Sequence, residues 1–144
     1  MVIIGADHGG FLIKEHIKNF LQKNNVDFVD IGTNSEDSVD YPIYSHKVAI
    51  MVSENNKNIG IIVCGSGNGV NIAANKHKNI RSALCWNDEI AKLAKQHNNA
   101  NIICLPGRYL SLLESEKIID AFLKAEFEGG RHQNRINLIE NEQF

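Results

Sequence analysis

Residues 59–76 read IGIIVCGSGNGVNIAANK. The apolar run 61–63 is typical of a strand buried on both faces, and it stops at Cys64. Three glycines at alternate positions follow, and the segment after them can form a helix. A strand, a glycine loop and a helix start together aim backbone N–H groups and the positive end of a helix dipole at one point. The stretch therefore predicts a site that binds or creates negative charge, with a thiol at its edge.

The segments on both sides of this stretch alternate between strand and helix patterns. Strands are predicted at residues 2–6, 26–31, 61–63, 80–85 and 101–105, and helices at 11–24, 42–52, after the glycine loop, after a cap at Asn87, and from Ser111 to a stop at 128–130. Strands that alternate with helices form parallel β-α-β units with right-handed crossovers. We therefore expect an α/β protein with one domain over residues 1–144, a Rossmann-like three-layer α/β/α sandwich with a five-stranded parallel sheet.

The C-terminal segment 131–139 looks amphipathic, and a closed monomer of this kind leaves it no obvious room. We expect this tail to pack on a partner subunit.

Composition excludes several classes of protein. The 144 residues suit one domain with a single core, and a net charge of −2 gives no electrostatic reason to expect nucleic acid or an anionic membrane as partner. No apolar run approaches the roughly 20 residues that span a bilayer, and no signal peptide is visible. Three widely spaced cysteines without a CxxC pair support neither a zinc knuckle nor a thioredoxin motif. A reducing, cytoplasmic setting is therefore expected, with Cys85 and Cys104 as small buried apolar residues.

Polar and reactive side chains follow three predicted strands at their carboxyl ends. Asp7 and His8 follow the first strand, Cys64 ends the third, and Arg108 follows the fifth. In open parallel sheets the ligand lies beyond these ends, so we expect an active site at this edge. Because N–H donors and a helix N-terminus favour a thiolate over a thiol, Cys64 is a candidate base or nucleophile. A buried structural thiol is the alternative.

The glycine loop fits neither of two common nucleotide-binding motifs. The third glycine of G-x-G-x-x-G would fall at Val70, and no Gly-Lys-Ser/Thr ending of a P-loop follows. Arg131 and Arg135 lie one helical turn apart, so together with Arg108 they favour capture of a phosphate. A solvated basic face is the alternative for these arginines. His97, at a helix end, is by itself more typical of a core or capping histidine.

Six motifs together resemble the type B ribose-5-phosphate isomerases, a family that includes the galactose-6-phosphate isomerase subunits. The motifs are DHGG at 7–10, DYP at 40–42, CGSGNG at 64–69, IAANK at 72–76, QHN at 96–98 and EGGRH at 128–132. The resemblance covers nearly the whole chain, in order and at family spacing. It implies isomerisation of ribose 5-phosphate and ribulose 5-phosphate in the pentose phosphate pathway, without metal or organic cofactor.

The same resemblance implies a role for each site residue. Cys64 moves a proton between C2 and C1 of the sugar, and His97 opens the furanose ring with Asp7 as a candidate helper. Another branch of the family has a glutamate base where this chain has Val70, which places this chain on the cysteine branch. The other implied residues are an anion hole of Gly65, Ser66, Gly67, Asn68 and Gly69, a phosphate clamp of His8, Arg108, Arg131 and Arg135, and substrate contacts at Tyr41 and Asn98. The family is dimeric, sometimes tetrameric, with two subunits meeting in each site, which implies a homodimer or homotetramer here.

Two other functions stay open on the sequence alone. One is an isomerase of a six-carbon sugar phosphate, such as allose or galactose 6-phosphate, because the sequence does not show the floor of the pocket. The other is a non-catalytic module that binds a sugar phosphate or nucleotide, against which the presence of Cys64 and His97 argues.

Overall fold

The structure is a computed structural model and describes residues 1–141. The strands are β1 (Val2–Ala6), β2 (Phe28–Asp30), β3 (Ile59–Cys64), β4 (Ser82–Leu84) and β5 (Ile102–Pro106). The helices are α1 (Phe11–Lys23), α2 (Tyr41–Glu54), α3 (Asn68–Ala74), α4 (Asp88–Asn98), α5 (Leu112–Lys124) and α6 (Arg131–Glu140). The strands form one parallel sheet in the order β2-β1-β3-β5-β4, so the predicted fold class is confirmed. None of the helices within residues 1–141 is long and apolar enough to cross a membrane.

The central strand β3 shows why helices cover both faces of the sheet. Successive side chains of a strand point to opposite faces. Ile61 and Val63 pack in the core beneath α1, α4 and α5, whereas Ile62 and Cys64 pack beneath α2 and α3. All four side chains are buried. Burial on both faces explains the continuous apolar run, and the alternation directs the Cys64 thiol toward the layer of α2 and α3.

The two outer strands are shorter than the sequence predicts. Strands are predicted at 26–31 and 80–85, but β2 and β4 have three residues each. Both lie at sheet edges and pair on one side only. Fewer ladder hydrogen bonds therefore hold their ends, whereas the inner strand β1 has the predicted bounds.

Local caps fix where two helices begin. The Asn87 side chain accepts a hydrogen bond from the Ile90 N–H at the start of α4 (2.8 Å). Ser111 and Glu114 form a capping box at the start of α5, each accepting a bond from the backbone of the other. Both predicted caps are confirmed.

The C-terminal part differs from the prediction in two ways. Helix α5 ends at Lys124, several residues before the predicted stop at 128–130, and the backbone turns extended there. The expectation that the tail lacks room on its own chain is wrong, because α6 packs against α4 and buries His132 and Ile136. Its other face exposes Leu138 and Ile139, and packing on a partner subunit stays a prediction.

Candidate active site

The order of the strands changes direction between β1 and β3. From β1 the chain passes to β2 on one side and then returns to β3 on the other. In open α/β sheets the ligand crevice lies at such a switch point, outside the carboxyl ends of the strands. The loop after β1 carries Asp7 and His8, and the loop after β3 carries the glycines. Both loops therefore border the crevice.

Backbone hydrogen bonds hold three strand ends together at this edge. The Asp7 N–H donates to the Val63 carbonyl (3.2 Å), the Gly107 N–H to the Cys64 carbonyl (2.8 Å), and the Arg108 N–H to the Gly65 carbonyl (3.0 Å). The structure thus places Asp7, His8, Cys64 and Arg108 at one edge of the sheet, as the strand pattern predicts.

The Cys64 thiol lies beneath the glycine loop. The Gly67 N–H donates to Cys64 Sγ at 3.2 Å, and an N–H donor stabilises the negative charge of a thiolate. Cys64 is only 4% exposed. A ligand must therefore sit directly on the glycine loop to reach the sulfur.

The other two cysteines have a different environment. Cys85 and Cys104 are fully buried, as expected from the sequence. Burial raises the pKa of Cys85 to about 12 and also raises that of Cys104. These two thiols therefore stay protonated at neutral pH, which leaves Cys64 as the candidate base.

Gly67 gives the loop its shape, because it has a φ of 76° and a Cβ there would lie 2.4 Å from Leu84 Cδ1. We expect Gly67→Ala to lower the free energy of unfolding by about 2–3 kcal/mol, since left-handed strain and overpacking add. Urea unfolding measures the change. Gly129→Ala is the matched control, because Gly129 has a φ of 66° with nothing within 4 Å of a Cβ. We expect this control to lose only about 1 kcal/mol from strain. Equal losses of unfolding free energy in the two variants would mean that the contact with Leu84 adds no destabilisation.

The rest of the loop presents polar groups toward the crevice. Ser66 Oγ accepts hydrogen bonds from the backbone N–H and the side-chain amide of Asn68, at 3.3 and 3.4 Å. The Tyr41 ring lies over Gly69, where a Cβ would come within 2.5 Å of Tyr41 Cζ. A glycine at this position therefore lets the aromatic ring contact the loop, and the predicted residues Ser66, Gly69 and Tyr41 lie together.

Asp7 and His8 are both held by the backbone. The Asp7 carboxylate is nearly buried and accepts a bond from the Gly10 N–H (3.1 Å). His8 Nδ1 accepts a bond from the Val39 N–H (3.2 Å). Because Nδ1 is the acceptor, the neutral ring carries its proton on Nε2. His8 can therefore donate from Nε2 to an anionic ligand.

A cleft of about 370 Å³ opens beside His8 and is lined by His8, Gly9, Leu12, Ile13, Glu36, Gly107 and Arg108. The Arg108 Nη1 atom lies 3.3 Å from the place that a Cβ on Gly65 would take, so the glycine lets the guanidinium lie against the loop. Sequence reasoning missed Glu36 and Gly107. The position of Gly107 directly after β5 is a usable signal, whereas nothing in the polar loop 34–40 distinguishes Glu36.

A larger cleft, of about 480 Å³, lies at the opposite edge of the sheet, and Arg81 and Lys95 are among its lining residues. Arg81 donates to the Asn99 carbonyl and to the Glu140 carboxylate. Lys95 donates to the Ala100 carbonyl. These cations are engaged by the chain itself, so volume alone does not mark the active site.

Four predicted residues lie away from the glycine loop. His97 and Asn98 end α4, and the loop that follows leads to the amino end of β5. In this loop the Asn101 carbonyl accepts a bond from the N–H of Gly60, near the start of β3 (2.8 Å). Cys64 lies at the other end of β3, and a six-residue strand spans roughly 16 Å. Within one chain, His97 therefore lies at the opposite edge of the sheet from Cys64.

Arg131 and Arg135 lie on α6, beside His97 rather than beside Arg108. The ring of His132 on α6 stacks on the His97 ring, with centroids 4.4 Å apart and planes 10° apart. Glu128 Oε2 lies 3.8 Å from His97 Nε2 and 3.6 Å from His132 Nε2. Burial, together with the charges of His97 and Arg131, lowers the pKa of His132. The sequence motif at 128–132 includes Glu128 and His132, but sequence reasoning gives neither a role.

Known proteins resemble this chain over nearly its whole length. A family model described as Ribose/Galactose Isomerase matches residues 2–139. Ribose-5-phosphate isomerase B of Escherichia coli (strain K12) is 40% identical over 138 residues, which cover 96% of this chain and 93% of that protein. A probable ribose-5-phosphate isomerase B of Mycoplasma genitalium is 45% identical over 140 residues, which cover 96% of this chain and 92% of that protein.

Solved structures agree with these matches. The crystal structure of ribose-5-phosphate isomerase B from Mycoplasma genitalium with bound ribulose-5-phosphate superimposes with a TM-score of 0.93 at 43% identity, over 96% of this chain and 93% of that one. With a family model that matches almost the entire chain and relatives at this identity, the chain belongs to the ribose/galactose isomerase family.

Proposed function

We propose that this protein interconverts ribose 5-phosphate and ribulose 5-phosphate. The observation that carries the proposal is the Cys64 thiol at the switch point, with the Gly67 N–H 3.2 Å from its sulfur and Arg108 against the same loop. The relatives named ribose-5-phosphate isomerase B, one of them with bound ribulose-5-phosphate, support this substrate.

The proposed base is the Cys64 thiolate. It takes the proton from C2 of the open-chain aldose, the electron pair forms the C1–C2 double bond, and the negative charge moves to the oxygen on C1. The sulfur then returns the proton to C1, and the C2 hydroxyl proton passes to the oxygen on C1, so that the carbonyl ends at C2. The reaction needs no oxidant or reductant, because hydrogen only moves within the sugar.

The glycine loop stabilises the charge that develops during this transfer. Backbone N–H groups of residues 65–69 and the Ser66 hydroxyl form the anion hole for the cis-enediolate, and within it the Gly67 N–H is shared with Cys64 Sγ and the Asn68 N–H with Ser66 Oγ. Preorganised donors of this kind are often the largest catalytic contribution, about 3–4 kcal/mol for one donor. Their positions depend on the left-handed Gly67.

The phosphate binds in the cleft between His8 and Arg108. His8, with a donor at Nε2, and the Arg108 guanidinium both line this cleft. A guanidinium binds phosphate oxygens with two parallel hydrogen bonds. Binding energy from the phosphate, remote from the reacting carbons, holds C1 and C2 in register with the sulfur.

Each complete site takes residues from two chains. His97, Asn98, Arg131 and Arg135 lie at the edge of the sheet opposite Cys64, and both arginines are exposed. In a twofold dimer, the α4 and α6 end of one chain meets the carboxyl edge of the other, and symmetry makes two equal sites. The partner's His97 then opens the furanose ring with help from Asp7, and the partner's arginines complete the phosphate clamp. The exposed Leu138 and Ile139 on α6 fit such a contact.

The cytoplasm is the proposed setting. The three cysteines are all free thiols, and free thiols persist in a reducing compartment.

A coupled isomerase assay on several sugar phosphates tests the proposed reaction. We expect kcat/KM for ribose 5-phosphate to exceed that for allose 6-phosphate or galactose 6-phosphate at least tenfold, since one carbon changes pocket fit by about 1–3 kcal/mol. A preference for a six-carbon substrate would reassign the substrate. Binding of ribose 5-phosphate without turnover would indicate a non-catalytic binding module.

A further inference from the structure

We propose that His97, Glu128 and His132 form a binding site for a divalent transition-metal ion such as Zn²⁺, and that an ion bound there inhibits the enzyme. The three side chains come from the end of α4, the segment before α6 and the start of α6. Their candidate ligand atoms all lie within 4.8 Å of one another.

The distances in this cluster, which we call the His-Glu-His cluster, exceed those of hydrogen bonds. Glu128 Oε2 lies 3.8 Å from His97 Nε2 and 3.6 Å from His132 Nε2, whereas an N–H···O bond spans about 2.7–3.2 Å. Lys14 and Asp30 show the contrast, because Lys14 Nζ donates a hydrogen bond to Asp30 Oδ2 at 2.7 Å. Tetrahedral zinc with bonds of about 2.0–2.1 Å puts neighbouring ligand atoms about 3.3 Å apart. The carboxylate oxygen therefore lies at a spacing from each imidazole nitrogen that is closer to that of metal ligands than to that of a direct pair, while the two rings stack with planes 10° apart.

The ligand set indicates which metals fit. Two imidazole nitrogens and one carboxylate are suited to zinc, cobalt and related ions rather than to calcium or magnesium, which prefer oxygen. A His₂Glu set also leaves a fourth position open for water. The two imidazole rings must tilt toward each other to share one ion, and the partial exposure of His97 and Glu128, 40% and 49% for their side chains, gives them room.

Charges around the cluster limit its affinity. Arg131 and Arg135 on α6 are close enough to lower the pKa of His132, after burial and His97, and they oppose a further cation. The Glu128 carboxylate offsets part of this repulsion. We therefore expect zinc to bind more weakly here than at a structural site with four ligands.

The inhibitory consequence rests on the proposed function. Ring opening needs a free nitrogen on His97 to exchange protons with the sugar, and a metal ion on this imidazole occupies its lone pair. A bound ion also fixes the ring toward Glu128 and away from the partner's glycine loop. Binding of metal and turnover of furanose substrate should then exclude each other.

Metal titrations of the full-length protein, first freed of metal with a chelator, test the site without any need for activity. We expect one Co²⁺ per chain, with d–d bands in the visible and no sulfur-to-cobalt charge-transfer band in the near ultraviolet. Zn²⁺ affinity, measured by competition with a chromophoric chelator, should fall at least about tenfold in His132→Asn and in Glu128→Gln. Glu128 is half exposed, so its variant stays informative even if the buried His132 variant fails to fold.

His46→Asn is the matched control. His46 Nδ1 lies 2.7 Å from His77 Nε2, and this close histidine pair shares no residue with the cluster. We expect its loss to leave zinc affinity unchanged. The proposal is overturned if His46→Asn weakens binding while Glu128→Gln does not, or if the cobalt spectrum shows thiolate ligation, which would place the ion at Cys64.

Turnover measurements separate the inhibition from the proposed function. Zn²⁺ should inhibit the wild-type protein and His46→Asn equally, EDTA should reverse the effect, and Glu128→Gln should lose most of the sensitivity. Wild-type turnover that persists at saturating Zn²⁺ would overturn the inhibitory role. A metal-free protein that turns over no sugar phosphate would instead refute the proposed function, and the binding results would stand unaffected.

Discussion

Cys64→Ala should lower kcat for ribose 5-phosphate about 10³-fold, because a positioned general base contributes roughly 10²–10⁴ to the rate. The thiol ends the central strand and touches the Gly67 N–H, whereas Cys85 and Cys104 are fully buried and their pKa values are raised by burial. Removing the sulfur leaves the proposed anion hole and the proposed phosphate contacts in place. Binding of ribose 5-phosphate, measured by calorimetry, should therefore change little while turnover is lost.

Cys85→Ala is the control for the loss of a buried sulfur. Cys85 is also fully buried, but it packs on the opposite face of the sheet, beneath α4. We expect a loss of stability of about 1 kcal/mol and a kcat within a factor of about two of wild type. Wild-type turnover in Cys64→Ala would exclude this residue as the base. An equal loss of turnover in both variants would point to a general packing defect.

Much of this edge of the sheet follows from local patterns in the sequence. A run of β-branched residues that ends in a glycine loop must be a buried strand with its carboxyl end at a turn, and β3 has these properties. Asp7 and Arg108 follow the carboxyl ends of β1 and β5, so the fold class alone places them at the same edge as Cys64, and the strand order then places both strands next to β3. The lengths of β2 and β4 do not follow in the same way, because strand order decides which strands lie at an edge.

The topology also predicts that the proposed site residues lie at two opposite edges of the sheet. A helix that starts at the carboxyl end of one parallel strand must end near the amino end of the next, so His97 in the last turn of α4 belongs to the far edge. What the sequence does not encode locally is the docking of α6. The stack of His132 on His97 and the approach of Glu128 depend on how a linker of two glycines with positive φ turns the chain back onto α4.

A heterodimer of Cys64→Ala and His97→Asn chains should recover roughly half of the wild-type activity, although each homodimer is nearly inactive. The two chains carry different affinity tags, are expressed together and are purified through both tags. If each site joins Cys64 of one chain to His97 of the other, one site in this heterodimer holds both intact residues and the second holds both defects. If each site came from one chain, every site would carry one defect and no activity would return.

A heterodimer of Cys64→Ala and Arg108→Ala chains controls for recovery by any other route. Both residues lie at the carboxyl edge of the same chain, where the Arg108 guanidinium packs on the loop that follows Cys64. Each of the two sites then keeps one defect, so we expect no recovery. Recovery in the control as well would mean that a Cys64→Ala chain and an Arg108→Ala chain can together form an intact site. That result would contradict the assignment of Cys64 and Arg108 to one half-site. Recovery only in the first heterodimer leaves a single geometry, in which the α4 and α6 end of one chain lies over the glycine loop of the other.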